Sequence, residues 1–120
     1  MSKTTLVLGA SVKPERYSNI AIHKLVEKKL KVLALGFQEG EVNGVKIDTK
    51  IMQYQDVDTV TLYLNPKRQE AFYYYIISLT PRRVIFNPGT ENEEFYTLLI
   101  KHGIQVEEAC TLVLLSTDQY

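Results

Sequence analysis

The residues best suited to chemistry lie in one loop near the start of the chain, Gly9-Ala10-Ser11-Val12-Lys13-Pro14-Glu15-Arg16-Tyr17-Ser18-Asn19. Gly9 and Ala10 are small enough to let the backbone approach a ligand closely. The loop runs into an amphipathic stretch, so backbone N–H groups at the helix start near Ser18 suit an anion. Ser11 and Ser18 add hydroxyl donors. Lys13 and Arg16 add positive charge, and the planar fork of Arg16 can hold a phosphate through two hydrogen bonds. Together these groups make a phosphate cradle. The plainer alternative is a strand–loop–helix turn with solvated basic residues and a serine cap.

Two familiar phosphate-binding patterns are absent. The dinucleotide fingerprint needs Gly-x-Gly-x-x-Gly, and this loop has only Gly9 before Pro14. The acid that would bind a ribose should end the second strand, where Leu35-Gly36-Phe37 stands. The triphosphate loop, with its closing Gly-Lys-Ser/Thr, is missing too.

Other reactive side chains are isolated. His23 lies off the apolar stripe of its helix, and His102 falls in a last helical turn, where it suits the helix dipole. Neither has Cys, Asp or Glu at metal-ligand spacing. Cys110 has no basic residue beside it in sequence, so a packed thiol is the simpler reading than a nucleophile. Tyr73-Tyr74-Tyr75 is unusual. Tyr75 belongs to a buried stripe, while Tyr73, Tyr74 and Ile77 are expected to face elsewhere and form a contact for a homodimer.

The elements that must position these residues alternate. Leu6-Val7-Leu8 reads as a buried first strand ending at Gly9. A helix is expected from Ser18 to Lys29, with Ser18 as N-cap and Ala21, Ile22, Leu25 and Val26 on one face. Val32 to Leu35 is the second strand, ended by Gly36. Asn43-Gly44 signals a hairpin or turn within Val42–Asp48, with a short turn or helix near Met52. Val60 to Leu64 is the third strand, and Asn65-Pro66 starts a helix with a buried stripe of Phe72, Tyr75, Ile76 and Leu79. Val84 to Phe86 is the fourth strand. Thr90 and Glu93 fit a capping box for a helix carrying Phe95, Leu98 and Leu99 and ending at Gly103. Ile104 to Val106 is a short fifth strand, and Cys110–Leu115 fits either strand or helix. Single helices between Val-, Leu- and Ile-rich strands imply a parallel sheet with both faces covered. Ligands of such sheets bind beyond the carboxyl ends of the strands.

Composition narrows the function. Apolar residues make up 45% of 120 residues, enough for one domain with its own core. Lys+Arg and Asp+Glu both number 14, so nothing draws the whole chain to nucleic acid or anionic lipid, and any phosphate must be held locally. A single cysteine allows no internal disulfide. Met1-Ser2-Lys3-Thr4-Thr5 leads into an apolar run too short for a signal peptide, and no stretch approaches the roughly 20 apolar residues that span a bilayer. A cytoplasmic protein is expected.

Gly9-Ala10-Ser11 followed by Pro14-Glu15-Arg16-Tyr17-Ser18-Asn19 and Ala21 resembles the opening motif of the stand-alone coenzyme A-binding domain family, which is similar to the coenzyme A-binding domain of the succinyl-CoA synthetase α subunit. Val57 to Val60, Asn65-Pro66, Phe86-Asn87-Pro88-Gly89 and Asn92-Glu93-Glu94 extend the resemblance along the chain, and Cys110 sits where the family tends to have a cysteine. It implies one domain over residues 1–120 with a three-layer Rossmann-like α/β fold. The sheet would be open and parallel, of about five strands, with helices on both faces. It also implies a nucleotide ligand, coenzyme A or an acyl-CoA. Gly9, Ala10, Ser11, Val12, Lys13, Arg16, Tyr17, Ser18 and Asn19 would hold its phosphates. Leu35, Gly36, Asn65 and Pro66 would flank the adenosine end, and Asn87, Pro88 and Gly89 would border the pantetheine path. In one place the chain departs from the family: Leu35-Gly36 replaces the usual Asn-Pro pair, so the polar contact to the ribose or its phosphate has no counterpart. The phosphohistidine of the synthetase reaction would need a large extra domain, and no catalytic triad or carboxylate pair stands out. Binding without catalysis is therefore expected. The alternatives are a scaffold with a vestigial site, or a thioester or redox activity at Cys110.

Overall fold

Short runs of Val, Leu and Ile form the strands, and helices bearing one apolar stripe cover them. The computed structural model describes residues 4–120, so Met1, Ser2 and Lys3 of the expected leader-free start lie outside the described residues. The strands are β1 (Thr4–Ala10), β2 (Lys31–Gly36), β3 (Gly40–Val42), β4 (Val45–Asp48), β5 (Val57–Leu62), β6 (Arg83–Phe86) and β7 (Gln105–Glu108). The helices are α1 (Tyr17–Glu27), α2 (Pro66–Gln69), α3 (Tyr73–Ser78), α4 (Glu93–Lys101) and α5 (Thr111–Ser116). A 3-10 turn, Glu70–Phe72, separates α2 from α3. Among the described residues no helix is long and apolar enough to cross a membrane.

The sheet has seven strands in the order β3-β4-β2-β1-β5-β6-β7, not about five. The two additional strands are the arms of the Asn43-Gly44 hairpin, both of whose turn residues have positive φ, 48° and 84°. That twist matches the strands it joins. β4 then adds to β2 in parallel, so only the edge strand β3 runs antiparallel. All other pairings are parallel.

Alternate residues of the central strands feed two cores. Leu6, Leu8, Val60, Leu62 and Phe86 face Tyr73, Ile76, Phe95 and Leu99 from α3 and α4. Val7, Ala34 and Ile47 face Ile22 and Leu25 of α1 and Leu115 of α5. This is the expected three-layer arrangement, and each fully buried Leu, Ile or Phe contributes roughly 1.5–3 kcal/mol.

Several local expectations shift. α1 begins at Tyr17 with Arg16 at the N-cap, so Ser18 lies inside the first turn and does not cap it. Asn92, not Thr90, caps α4, accepting from Phe95 N at 3.1 Å. The amide of Asn92 is fixed by Gln69 and Tyr73, whereas the Thr90 hydroxyl is spent on the Asn87 carbonyl. The segment around Met52 is irregular; Tyr75 Oη donates to the Met52 carbonyl at 2.7 Å and holds it. Cys110–Leu115 resolves as the N-cap and body of α5.

The expected dimer contact does not form a patch. Tyr73 is 7% exposed and stacks on Phe95, with ring centroids 4.3 Å apart. Ile77 packs against the same core, and only Tyr74 of the three faces outward. The expected stripe stands, with Tyr75, Ile76 and Leu79 buried and Phe72 packed against them, and it widens to take in Tyr73 because α4 brings the Phe95 ring against it.

Candidate ligand-binding cleft

β1 ends in a bulge between Leu8 and Ala10, where Gly9 takes φ 101°. A side chain there would be strained and would press on the Tyr63 backbone, 3.0 Å from its carbonyl carbon. The loop beyond is held by its own groups. Ser11 Oγ accepts from Lys13 N at 3.1 Å, and Asn19 Nδ2 donates to the Ser11 carbonyl at 2.9 Å. No side chain caps α1, and no acid stands in its first turn. Arg16 N and Asn19 N are taken by the Lys13 and Arg16 carbonyls at 3.1 and 3.0 Å, which leaves the N–H groups of Tyr17 and Ser18 available to an anion.

The facing wall comes from the exits of β5 and β6. Asn65 Oδ1 accepts from Arg68 N at 2.9 Å and starts α2 at Pro66. Gln69 is fully buried and donates from Nε2 to the carbonyls of Leu64 at 2.9 Å and Thr90 at 2.8 Å. One amide thus locks the two loops together.

Between the walls lies an open cleft of about 780 Å³. It sits at the carboxyl ends of the strands, where the sheet order reverses between β1 and β5. Lys13, Arg16 and Arg68 line it, and no carboxylate does. None of these cations is within ion-pair distance of an acid among the described residues. In a chain of zero net charge, opposite charges have been kept out of one place. Val12, Tyr17 and Phe37 expose apolar surface at the same cleft, Tyr17 most of all at 71%.

Of the residues expected to bind, Gly9, Ala10, Ser11, Val12, Lys13, Arg16, Tyr17, Ser18, Asn65, Pro88 and Gly89 line the cleft. Asn19 does not; it braces Ser11 from below. Leu35 and Gly36 are buried and line a small hollow of about 40 Å³ that shares Gly9, Phe37 and Leu64 with the cleft, while the next residues, Phe37 and Gln38, line the cleft itself. Pro66 sets the start of α2 without lining the cleft. Asn87 is buried and turned away, donating to Thr61 Oγ1 and the Leu62 carbonyl and accepting from Thr111 N.

Phe37, Gln38, Tyr63, Leu64, Arg68 and Thr90 were not legible as lining residues. Arg68 had one sequence signal, its place three residues after a capping Asn. Tyr63 adds an oddity: its buried hydroxyl lies near the Thr61 and Thr111 hydroxyls without a well-formed hydrogen bond to either, and burial pushes the phenol up to about 12. His102 does what its position suggested, its ring nitrogen donating to the Leu98 carbonyl at 2.9 Å. Cys110 is half-buried and lies outside the lining.

A mostly parallel three-layer sheet with a basic, acid-free cleft at its switch point is the architecture of the nucleotide-binding α/β class. The chain belongs to the CoA binding domain family, whose model matches residues 3–116. No curated protein matches it. A solved uncharacterized protein is 44% identical, with a TM-score of 0.96, over 100% of this chain and 99% of the other. A conserved hypothetical protein from Pyrococcus furiosus is 28% identical, with a TM-score of 0.80, over 94% and 98% of the two chains. The fold also recurs in a dinucleotide forming acetyl-coenzyme A synthetase of Ca. Korarchaeum cryptofilum, solved with phosphate and ADP. There identity is 19% and the TM-score 0.72, over 87% of this chain and 25% of that one.

Proposed function

We propose that the chain binds coenzyme A or an acyl-CoA in this cleft and performs no chemistry on it. The observation that carries the reading is the set of Lys13, Arg16 and Arg68 around one acid-free cleft. The first loop and the open start of α1 suit the diphosphate, with Arg16 as the fork that orients it. The exit of β6 at Pro88 and Gly89 leaves a backbone-lined path for the pantetheine arm. Cys110, the single thiol, lies outside the lining, which favours binding over thioester chemistry.

Thermal denaturation with coenzyme A and with NAD tests this. Ligand at a hundredfold excess over Kd stabilises the native state by about 2.7 kcal/mol, so coenzyme A should raise Tm by several degrees and NAD far less. Arg16→Ala should weaken coenzyme A binding about tenfold to hundredfold and leave the Tm of the free protein unchanged, because the side chain is exposed. Equal shifts from both nucleotides, or none from either at millimolar concentration, would remove the reading.

A further inference from the structure

Phe37 and Arg68 come from different walls and meet at the cleft. Phe37 follows β2, Arg68 belongs to α2, and the guanidinium carbon lies 4.9 Å from the ring centroid. The ring is 58% exposed, and Arg68 has no acidic partner among the described residues. The turn that carries it is fixed by the Asn65 cap. A guanidinium resting on an exposed ring gains less than one hydrogen-bonded to phosphate, so an incoming phosphate can draw it away.

Position identifies what the pair would read. In dinucleotide-binding sheets with the same layout the end of the second strand meets the ribose: an acid there takes a free ribose diol, and a nearby Arg takes a phosphorylated one. Here that strand ends in Leu35-Gly36-Phe37, with no acid, and Arg68 faces it. Lys13 and Arg16 already serve the first loop, so Arg68 is a separate cation for a second anionic group beside a flat ring.

Resting on the coenzyme A reading, we infer that Phe37 and Arg68 form the subsite for the nucleoside end. The Phe37 ring stacks on the purine, and the Arg68 guanidinium holds the phosphomonoester on the 3′-oxygen of the ribose. This replaces, from α2, the polar contact absent at Leu35-Gly36. It makes the protein selective for coenzyme A over its precursor lacking that phosphate.

Calorimetric titration of native protein, Arg68→Ala, Arg68→Lys and Phe37→Leu with coenzyme A and with 3′-dephospho-coenzyme A tests the assignment. Native protein should prefer coenzyme A about tenfold to hundredfold. Arg68→Ala should erase that preference by weakening coenzyme A alone, and Arg68→Lys should restore part of it because a point charge replaces a fork. Phe37→Leu should weaken both ligands alike, since both carry the base. Both side chains are exposed, so unchanged melting of the variants keeps folding out of the comparison. A preference that survives Arg68→Ala, or an Arg68→Ala loss equal for both ligands, overturns the subsite. Native protein that binds both ligands equally also overturns it and leaves the coenzyme A reading standing. Native protein that binds neither overturns that reading, and the subsite with it.

Discussion

A β-carbon on Gly36 would collide with the carbonyl oxygen of Ala10. The bulge in β1 pairs Ala10 with Gly36, so the first loop rests directly on the end of β2. The glycine is what lets the loop drop to the floor of the cleft.

Gly36→Ala should therefore lift the first loop. The expected cost is about 1–3 kcal/mol of stability, the range for forcing an extra carbon into a packed site. Coenzyme A affinity should fall as well, because Lys13 and Arg16 move with the loop. Urea unfolding and titration read the two effects separately; wild-type values in both would mean that the loop yields at no cost.

Asn87 makes the opposite kind of prediction. Its side chain joins β5, β6 and the start of α5 through bonds of 2.7–2.9 Å and does not line the cleft. Asn87→Ala should cost about 1–3 kcal/mol for each buried group left unpaired. Asn87→Asp should be no remedy, since a carboxylate cannot donate to the Leu62 carbonyl. Among molecules still folded, coenzyme A affinity should change less than about tenfold. A larger loss of affinity without loss of stability would return Asn87 to the ligand path.

Tyr63 is one of several buried or half-buried phenols, with Tyr54, Tyr73, Tyr75, Tyr96 and Tyr120, that set an alkaline limit. Burial raises its phenol from 10.0 to about 12, so the unfolded chain ionises first as pH rises. The stability involved is fully present below pH 10 and is lost between 10 and about 12. Tyr63→Phe removes a buried hydroxyl that makes no well-formed hydrogen bond, only loose approaches to the Thr61 and Thr111 hydroxyls, so at pH 7 it should change stability by less than about 1 kcal/mol. It should also flatten the fall in stability above pH 10. Denaturation of the ligand-free variant across that range checks both, and marked destabilisation at pH 7 would show that the hydroxyl is paired.

The sequence by itself determined the alternation of strands and helices, the phosphate-type loop at Gly9–Asn19, the Asn65 cap and the Asn43-Gly44 hairpin. Each rests on contacts between residues a few positions apart, and side-chain periodicity, φ preference and capping chemistry act over that range. Only the tertiary structure decided which residues converge. Arg68 joins Lys13 and Arg16 because the strand order places the exits of β1 and β5 side by side, and no local pattern encodes strand order. Phe37 reaches the cleft, and Gly36 does not, because the bulge in β1 seats Ala10 over the glycine. Tyr73 is buried because α4, distant in sequence, brings the Phe95 ring against it. Asn87 braces three elements because they meet only after the sheet has formed. Periodicity predicts a face as long as the helix stays regular; burial is settled by long-range packing, which here outweighs the local pattern at the residues nearest the cleft and at the Tyr73 stack.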